Sequence, residues 1–338
     1  MTARAFICGC AGLELSSEDR AFIRDAAPWG FILFKRNIDS PAQVARLTAS
    51  FREAVGRADA PVLVDQEGGR VQRLGPPHWR KDPAGAEFRR FSNDPEVQRS
   101  LVRLAARLMA HDLLQLGITA DCLPVLDVPA PGGHSVIGDR AYAQDASAVA
   151  QLGRAAAEGL LAGGVLPVMK HIPGHGRAGA DSHLELPVVD APRDMLEAVD
   201  FLPFRSLTDL PMAMTAHVVY SAIDASNPAT TSRKVMQGIV RGHMGYDGLV
   251  MTDDLSMKAL TGSFAQKTRA AFKAGADMAL HCNGVVSEAR QVAEAAPMLS
   301  GKRLARAKAA LARIRHEPEP LDAASGHARL NAAMASAA

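Results

Sequence analysis

The feature that most constrains this chain is a set of eight short apolar runs spread over about 300 residues. They are Phe6-Ile7-Cys8-Gly9, Phe31-Ile32-Leu33-Phe34, Pro61-Val62-Leu63-Val64, residues 118–122, 164–169, 211–217, 248–252 and 276–280. Each is a near-continuous hydrophobic stretch rather than an alternating one, which is what parallel strands buried on both faces require. Helix signals separate most of them: Ser16 ahead of Glu18-Asp19, Ser40-Pro41, and Asn93-Asp94-Pro95. The pattern predicts one α/β domain, a closed (β/α)8 barrel over residues 1–317, with an Ala-rich tail (318–338) that should fray. A doubly wound open sheet is the alternative. No G-x-G-x-x-G follows the first strand and no Walker-type loop occurs, so no nucleotide cofactor, and no cofactor of any kind, is expected.

Charge excludes other partners. Thirty-eight basic residues face 36 acidic ones, for a net +2, and aromatics are 5% of the chain. Neither nucleic acid nor a membrane surface is called for. Four scattered cysteines (Cys8, Cys10, Cys122, Cys282) argue for reduced thiols and a cytoplasmic protein. The apolar start, residues 5–13, meets Glu14, Glu18 and Asp19 at once and reads as a strand, not a signal peptide.

Polar residues gather where strands end. Asp65, Lys170, His171, His217, Asp253 and His281 each follow an apolar run. In a parallel barrel those ends share one face, the face that carries active sites. Bland readings stand beside this. Asp254 fits a cap as well as a function, His217 fits a core or a site, and His281 reads as a core histidine. Asp277 precedes its strand and reads as structural, and the basic run from Lys302 to His316 reads as a solvated helix face. Two chemistries compete. A metal-dependent hydrolase would use the histidines, but there is no H-x-H or H-E-x-x-H, and no metal ligand is assigned. Glycoside cleavage needs a carboxylate on one side of a sugar and a proton donor on the other. Asp253 suits the first role. Asp181-Ser182-His183 offers the second, because a carboxylate on one ring nitrogen fixes the tautomer of the other.

Several segments then carry a family resemblance: Val64 to Leu74 (VDQEGGRVQRL), Pro124 to Val128, Val136 to Tyr142 (VIGDRAY), Lys170 to Gly176 (KHIPGHG), Asp181 to His183, Met214 to Tyr220 and Thr252 to Met257 (TDDLSM). In this order they resemble glycoside hydrolase family 3, most closely its bacterial β-N-acetylglucosaminidases of peptidoglycan recycling (NagZ-type). The resemblance implies a retaining mechanism with Asp253 as nucleophile and His183, partnered by Asp181, as general acid/base. It implies that Asp65, Arg73, Arg140, Lys170 and His171 hold the sugar. The substrate would be terminal β-linked N-acetylglucosamine on 1,6-anhydro-N-acetylmuramyl peptides, a muropeptide glycan, taken by a monomer. A phosphorylase on the same scaffold is the alternative, since a neutral His repels phosphate less than a carboxylate would. The stretch Arg177-Ala178-Gly179-Ala180 is less acidic than the resemblance leads one to expect. Gly174, Gly176 and Gly179 suggest that the segment bearing Asp181 and His183 moves against a fixed Lys170-His171 grip.

Overall fold

A computed structural model describes residues 3–336. Eight parallel strands close into a barrel: β1 Arg4–Cys8, β2 Pro28–Leu33, β3 Val62–Val64, β4 Ala120–Asp121, β5 Leu166–Ile172, β6 Met212–Thr215, β7 Leu249–Asp254 and β8 Met278–His281. Each pairs with its sequence neighbour, and β8 returns to β1 with Ile7 opposite Leu280. The expected (β/α)8 barrel is the fold. The fourth apolar run contributes only two strand residues, and Val125 beyond it makes a single bridge to Lys170.

Alternate residues along each strand belong to different cores, as a period of two demands. Ile7, Ile32, Leu63, Val168, Met214, Met251 and Leu280 fill the barrel interior. Their strand neighbours Phe6, Phe31 and Val64 pack outward with Phe22, Leu47 and Leu101 of the surrounding helices. Met169, Ala213 and Val250 do the same on the opposite side of the barrel. A packed interior therefore sits beneath the C-terminal mouth and leaves no pore.

Two segments behave differently from their sequence expectation. The run from Lys302 is not merely a solvated face. Its helix, Gly301–Ala312, buries Ala307, Ala310 and Leu311 in the same cluster as Trp29 and the interior strand residues, and so closes the N-terminal end. The tail is a helix, Ala323–Ser336, rather than a frayed end. Alanine favours helix, and Leu330 is fully buried while Gly326 lies against Leu104 and Leu108 of the helix Pro95–Gln115. The last two tail residues lie outside the described residues. No helix among the described residues is long and apolar enough to cross a membrane.

Candidate active site

Strand parity sorts the strand-end residues except His171, which follows Lys170 where the register shifts and still reaches the mouth. Leu63, Val168 and Met251 face the barrel interior. Asp65, Lys170 and Asp253 stand two positions further on and so share that face. All three line one cleft of about 140 Å³, together with Glu67, Arg73, Arg140, His171, His175, Ser182 and His183.

His217 and His281 do not line the cleft. His281 follows the interior Leu280 by one residue, turns outward, and packs edge-on to Phe264 at 4.8 Å. His217 is buried below the cleft, with Nδ1 2.7 Å from Thr230 Oγ1 and Nε2 3.1 Å from the Asp254 carbonyl. A carbonyl only accepts, so Nε2 carries the hydrogen, and burial keeps the ring's pKa low. The Thr215 hydroxyl joins the chain, 2.7 Å from Thr230 Oγ1 and accepting from the Asp253 N–H at 3.4 Å. His217 thus pins the backbone on which Asp253 stands. Asp254 organises the turn after β7, its Oδ1 accepting from Ser256 N at 3.0 Å and Cys282 N at 3.1 Å. Asp277, as expected, is structural: it pairs with Arg241 and Arg306 at 2.7 and 3.1 Å at the other end of the barrel.

Around the cleft floor, cations and carboxylates alternate. Lys170 Nζ, almost wholly buried, bonds Asp65 Oδ1 at 2.9 Å and Glu67 Oε1 at 2.5 Å. Arg73 takes the second Asp65 oxygen at 2.9 Å and lies over the Phe34 ring. Arg140 grips both Glu67 oxygens at 2.8 Å. Burial pushes these carboxyls up, but the cations outweigh it. Asp65 falls below the usual carboxylate range, chiefly through Lys170 and then Arg73, and Glu67 falls to about 2 through Lys170 and Arg140. An ionised carboxylate only accepts, and each oxygen has lone pairs left over. That suits it to the hydroxyls of a sugar.

Glu67 was not singled out in the sequence, though it lies inside the VDQEGGRVQRL segment. A small ribbon places it: Gln66–Gly68 pairs antiparallel with Val71–Gln72 through Gly68 and Gly69, both at positive φ (91° and 58°). A Cβ on Gly68 would stand 2.2 Å from the Pro83 carbonyl, so only glycine lets this turn fold the segment back beside Arg73. Asp127 was also missed. Its Oδ2 takes the His171 Nδ1–H at 2.6 Å, which leaves His171 Nε2 without a hydrogen bond among the described residues. Burial pushes the Asp127 carboxyl up, and His171 outweighs it to give about 2.

Asp253 is half-buried. Burial acts to raise its pKa, but His217, then His171, then the Asp254 N–H donating to Oδ1 at 2.8 Å hold it below the ordinary value. It is therefore an anion facing the cleft. In the segment that brings His183 to the cleft, Asp181 Oδ1 accepts from both the backbone N–H (2.9 Å) and Nδ1–H (2.8 Å) of His183. The His183 side chain is 64% exposed. Partial burial pushes Asp181 up, yet the two His183 hydrogen bonds keep it ionised below its usual range. With Nδ1 committed to a carboxylate, Nε2 is the nitrogen able to exchange a proton.

The loop before this dyad is less free than its glycines suggest. A Cβ on Gly176 would stand 2.0 Å from the Val128 carbonyl, and Gly174 is pressed against Asp200. Arg177, where a more acidic loop was expected, pairs with Asp200 at 3.0 Å. Of the three glycines only Gly179 has open space around it. The expected pivot narrows to that residue.

The model of the glycosyl hydrolase family 3 N-terminal domain matches residues 9–316. The chain belongs to glycosyl hydrolase family 3. It is a glycoside hydrolase, and the match takes in every barrel strand after β1. A relative named β-hexosaminidase from Alkalilimnicola ehrlichii is 42% identical over 279 residues, covering 81% of this chain and 79% of its own. One of the same name from Thiobacillus denitrificans is 39% identical over 84% of this chain and 79% of its own. The crystal structure of NagZ from Neisseria gonorrhoeae in complex with N-trifluoroacetyl-D-glucosamine superposes with a TM-score of 0.85 at 30% identity, covering 100% of this chain and 98% of that one.

In this family 3 enzyme, Glu67→Ala should be costly because it leaves Arg140 without its buried partner and Lys170 with one carboxylate instead of two. Urea unfolding should show a loss of about 3 kcal/mol, the scale for stranding buried charge. An unchanged midpoint would mean that water replaces Glu67 freely.

Proposed function

We propose that this chain is a retaining exo-β-N-acetylglucosaminidase. Asp253 is its nucleophile, and His183, held by Asp181, is its general acid and base. The observation that carries this is that two unlike groups line one cleft: an ionised Asp253 facing the barrel axis and an exposed imidazole with one nitrogen tied to a carboxylate. In the first step an Asp253 oxygen bonds to C1 while the C1–O bond to the leaving group breaks. The electron pair stays on the leaving oxygen, which takes the proton from His183 Nε2. In the second step water attacks C1, its proton passes to His183, and the ester pair returns to Asp253. Asp65, Arg73, Arg140, Lys170 and His171 hold the terminal sugar.

The choice of N-acetylglucosamine is supported by relatives named β-hexosaminidase and by the NagZ complex with an N-acylated glucosamine. The resemblance to NagZ-type enzymes extends the proposal to 1,6-anhydro-N-acetylmuramyl peptides in peptidoglycan recycling, in a cytoplasmic monomer. The test is to trap the covalent intermediate. A 5-fluoro β-N-acetylglucosaminide with an activated leaving group should label the protein once, and peptide mass analysis should place the sugar on Asp253. A label on another residue, or none with turnover intact, sinks the assignment.

A further inference from the structure

Ser182 stands between the two members of the dyad, yet it is only 3% exposed where its neighbour His183 faces solvent. Its Oγ lies 3.1 Å from His175 Nε2, and its carbonyl accepts from the Ala259 N–H at 3.2 Å. His175 is fixed in turn. Its backbone N–H donates to Asp127 Oδ1 at 2.7 Å, and its ring packs edge-on to His171 at 5.7 Å. One carboxylate, Asp127, therefore holds the His171 ring with Oδ2 and, with Oδ1, the backbone N–H groups of both His171 and His175 at the base of the proton-donor loop.

The direction of the His175–Ser182 bond follows from what His175 lacks. Its Nδ1 is buried with no hydrogen bond among the described residues. The ring is neutral, because burial, helped by His171, brings its pKa down to about 4. A neutral imidazole has one N–H. On Nδ1 that hydrogen would be an orphaned buried donor, a rarer and costlier arrangement than an unpaired lone pair. The hydrogen belongs on Nε2, so His175 donates to Ser182 Oγ.

We propose that the His175–Ser182 hydrogen bond is a latch that sets the position of His183 over the leaving-group oxygen. His175 and Ser182 are positioning residues, and both act through His183. Between them the chain has one open pivot, Gly179, while Gly176 is wedged against Val128 and Arg177 is tied to Asp200. Without the latch, the segment from Gly179 to His183 keeps, among the described residues, one hydrogen bond to a distant part of the chain, from the Ala259 N–H to the Ser182 carbonyl. This inference rests on the acid/base role of His183.

The test is a series of aryl β-N-acetylglucosaminides with leaving groups from dinitrophenol to phenol, read as kcat/KM, which reports glycosidic cleavage. A misplaced acid matters only where the leaving group needs a proton. Ser182→Ala should lose about 10- to 100-fold on the phenyl substrate and far less on the dinitrophenyl one. His175→Phe should do the same, and His175→Gln, whose amide N–H can still reach Ser182, should recover most of the loss. In a His183→Ala background, Ser182→Ala should add nothing. Should Ser182→Ala fold normally and be fully active, lose equally across the series, or add its loss to that of His183→Ala, the latch is wrong. Were His183→Ala itself insensitive to the leaving group, the acid/base reading would fall and take the latch with it.

Discussion

Asp253→Ala should fold normally and yet lose turnover of every aryl β-N-acetylglucosaminide, by on the order of 10⁴-fold or more in kcat, the scale seen when a group central to covalent catalysis is deleted. The loss should not depend on the leaving group, because the missing partner attacks C1 whichever oxygen departs. The fold should survive because Asp253 makes few structural bonds. Its carboxylate accepts from the Asp254 N–H at 2.8 Å, and its own N–H, which remains in the variant, reaches Thr215. Losing one such hydrogen bond costs about 1 kcal/mol, well within a domain's margin. Thermal unfolding at nearly the wild-type midpoint, alongside near-zero activity, is the expected pair of results. Rates close to wild type would remove Asp253 from the chemistry. Activity lost together with the folded state would leave the trapped ester as the deciding measurement.

Most of the fold was legible because burial on both faces leaves a plain signature: runs such as Phe31–Phe34 and Leu249–Met251 have no polar positions to hide. The site was legible in its strand ends but not fully sorted. Asp65, Lys170, Asp253, His217 and His281 look equivalent as residues that follow apolar runs. They separate only when strand register says which of them stands two places beyond an inward-facing residue. Met251 to Asp253 is such a step, and Leu280 to His281 is not. Glu67 and Asp127 escaped for another reason. Glu67 depends on a two-glycine turn whose destination is tertiary, and Asp127 matters through His171 and His175, which are 44 and 48 residues away in the chain. The tail was misjudged because alanine-rich composition describes a docked helix as well as a frayed end, and the packing of Gly326, Leu330 and Met334 reveals which. The loop glycines misled in the same way. Gly176 is required by close approach to Val128, a contact between distant segments that no local pattern displays.

His183→Ala should split the substrates that Asp253→Ala treats alike. General acid catalysis contributes about 10²- to 10⁴-fold where the leaving oxygen must be protonated. On phenyl or alkyl β-N-acetylglucosaminides, kcat/KM should fall by that range. On the dinitrophenyl glycoside, whose phenolate leaves unaided, kcat/KM should fall little, while kcat should still drop because the second step needs a base for water. The expected signature is therefore a covalent glycosyl-enzyme that accumulates and shows as a burst of dinitrophenolate. Asp181→Ala should follow the same pattern with a smaller loss. Asp181 Oδ1 holds both the His183 ring and its backbone N–H, so its removal frees the ring to rotate and withdraws the negative charge that stabilises the imidazolium. Exposure sharpens the prediction. His183 is mostly solvent-facing, so its removal leaves no buried group unpaired and stability should be unchanged. An equal loss of kcat/KM on the phenyl and dinitrophenyl substrates, in a protein that melts like the wild type, would show that His183 serves binding rather than proton transfer. The acid would then have to come from another element of the mouth.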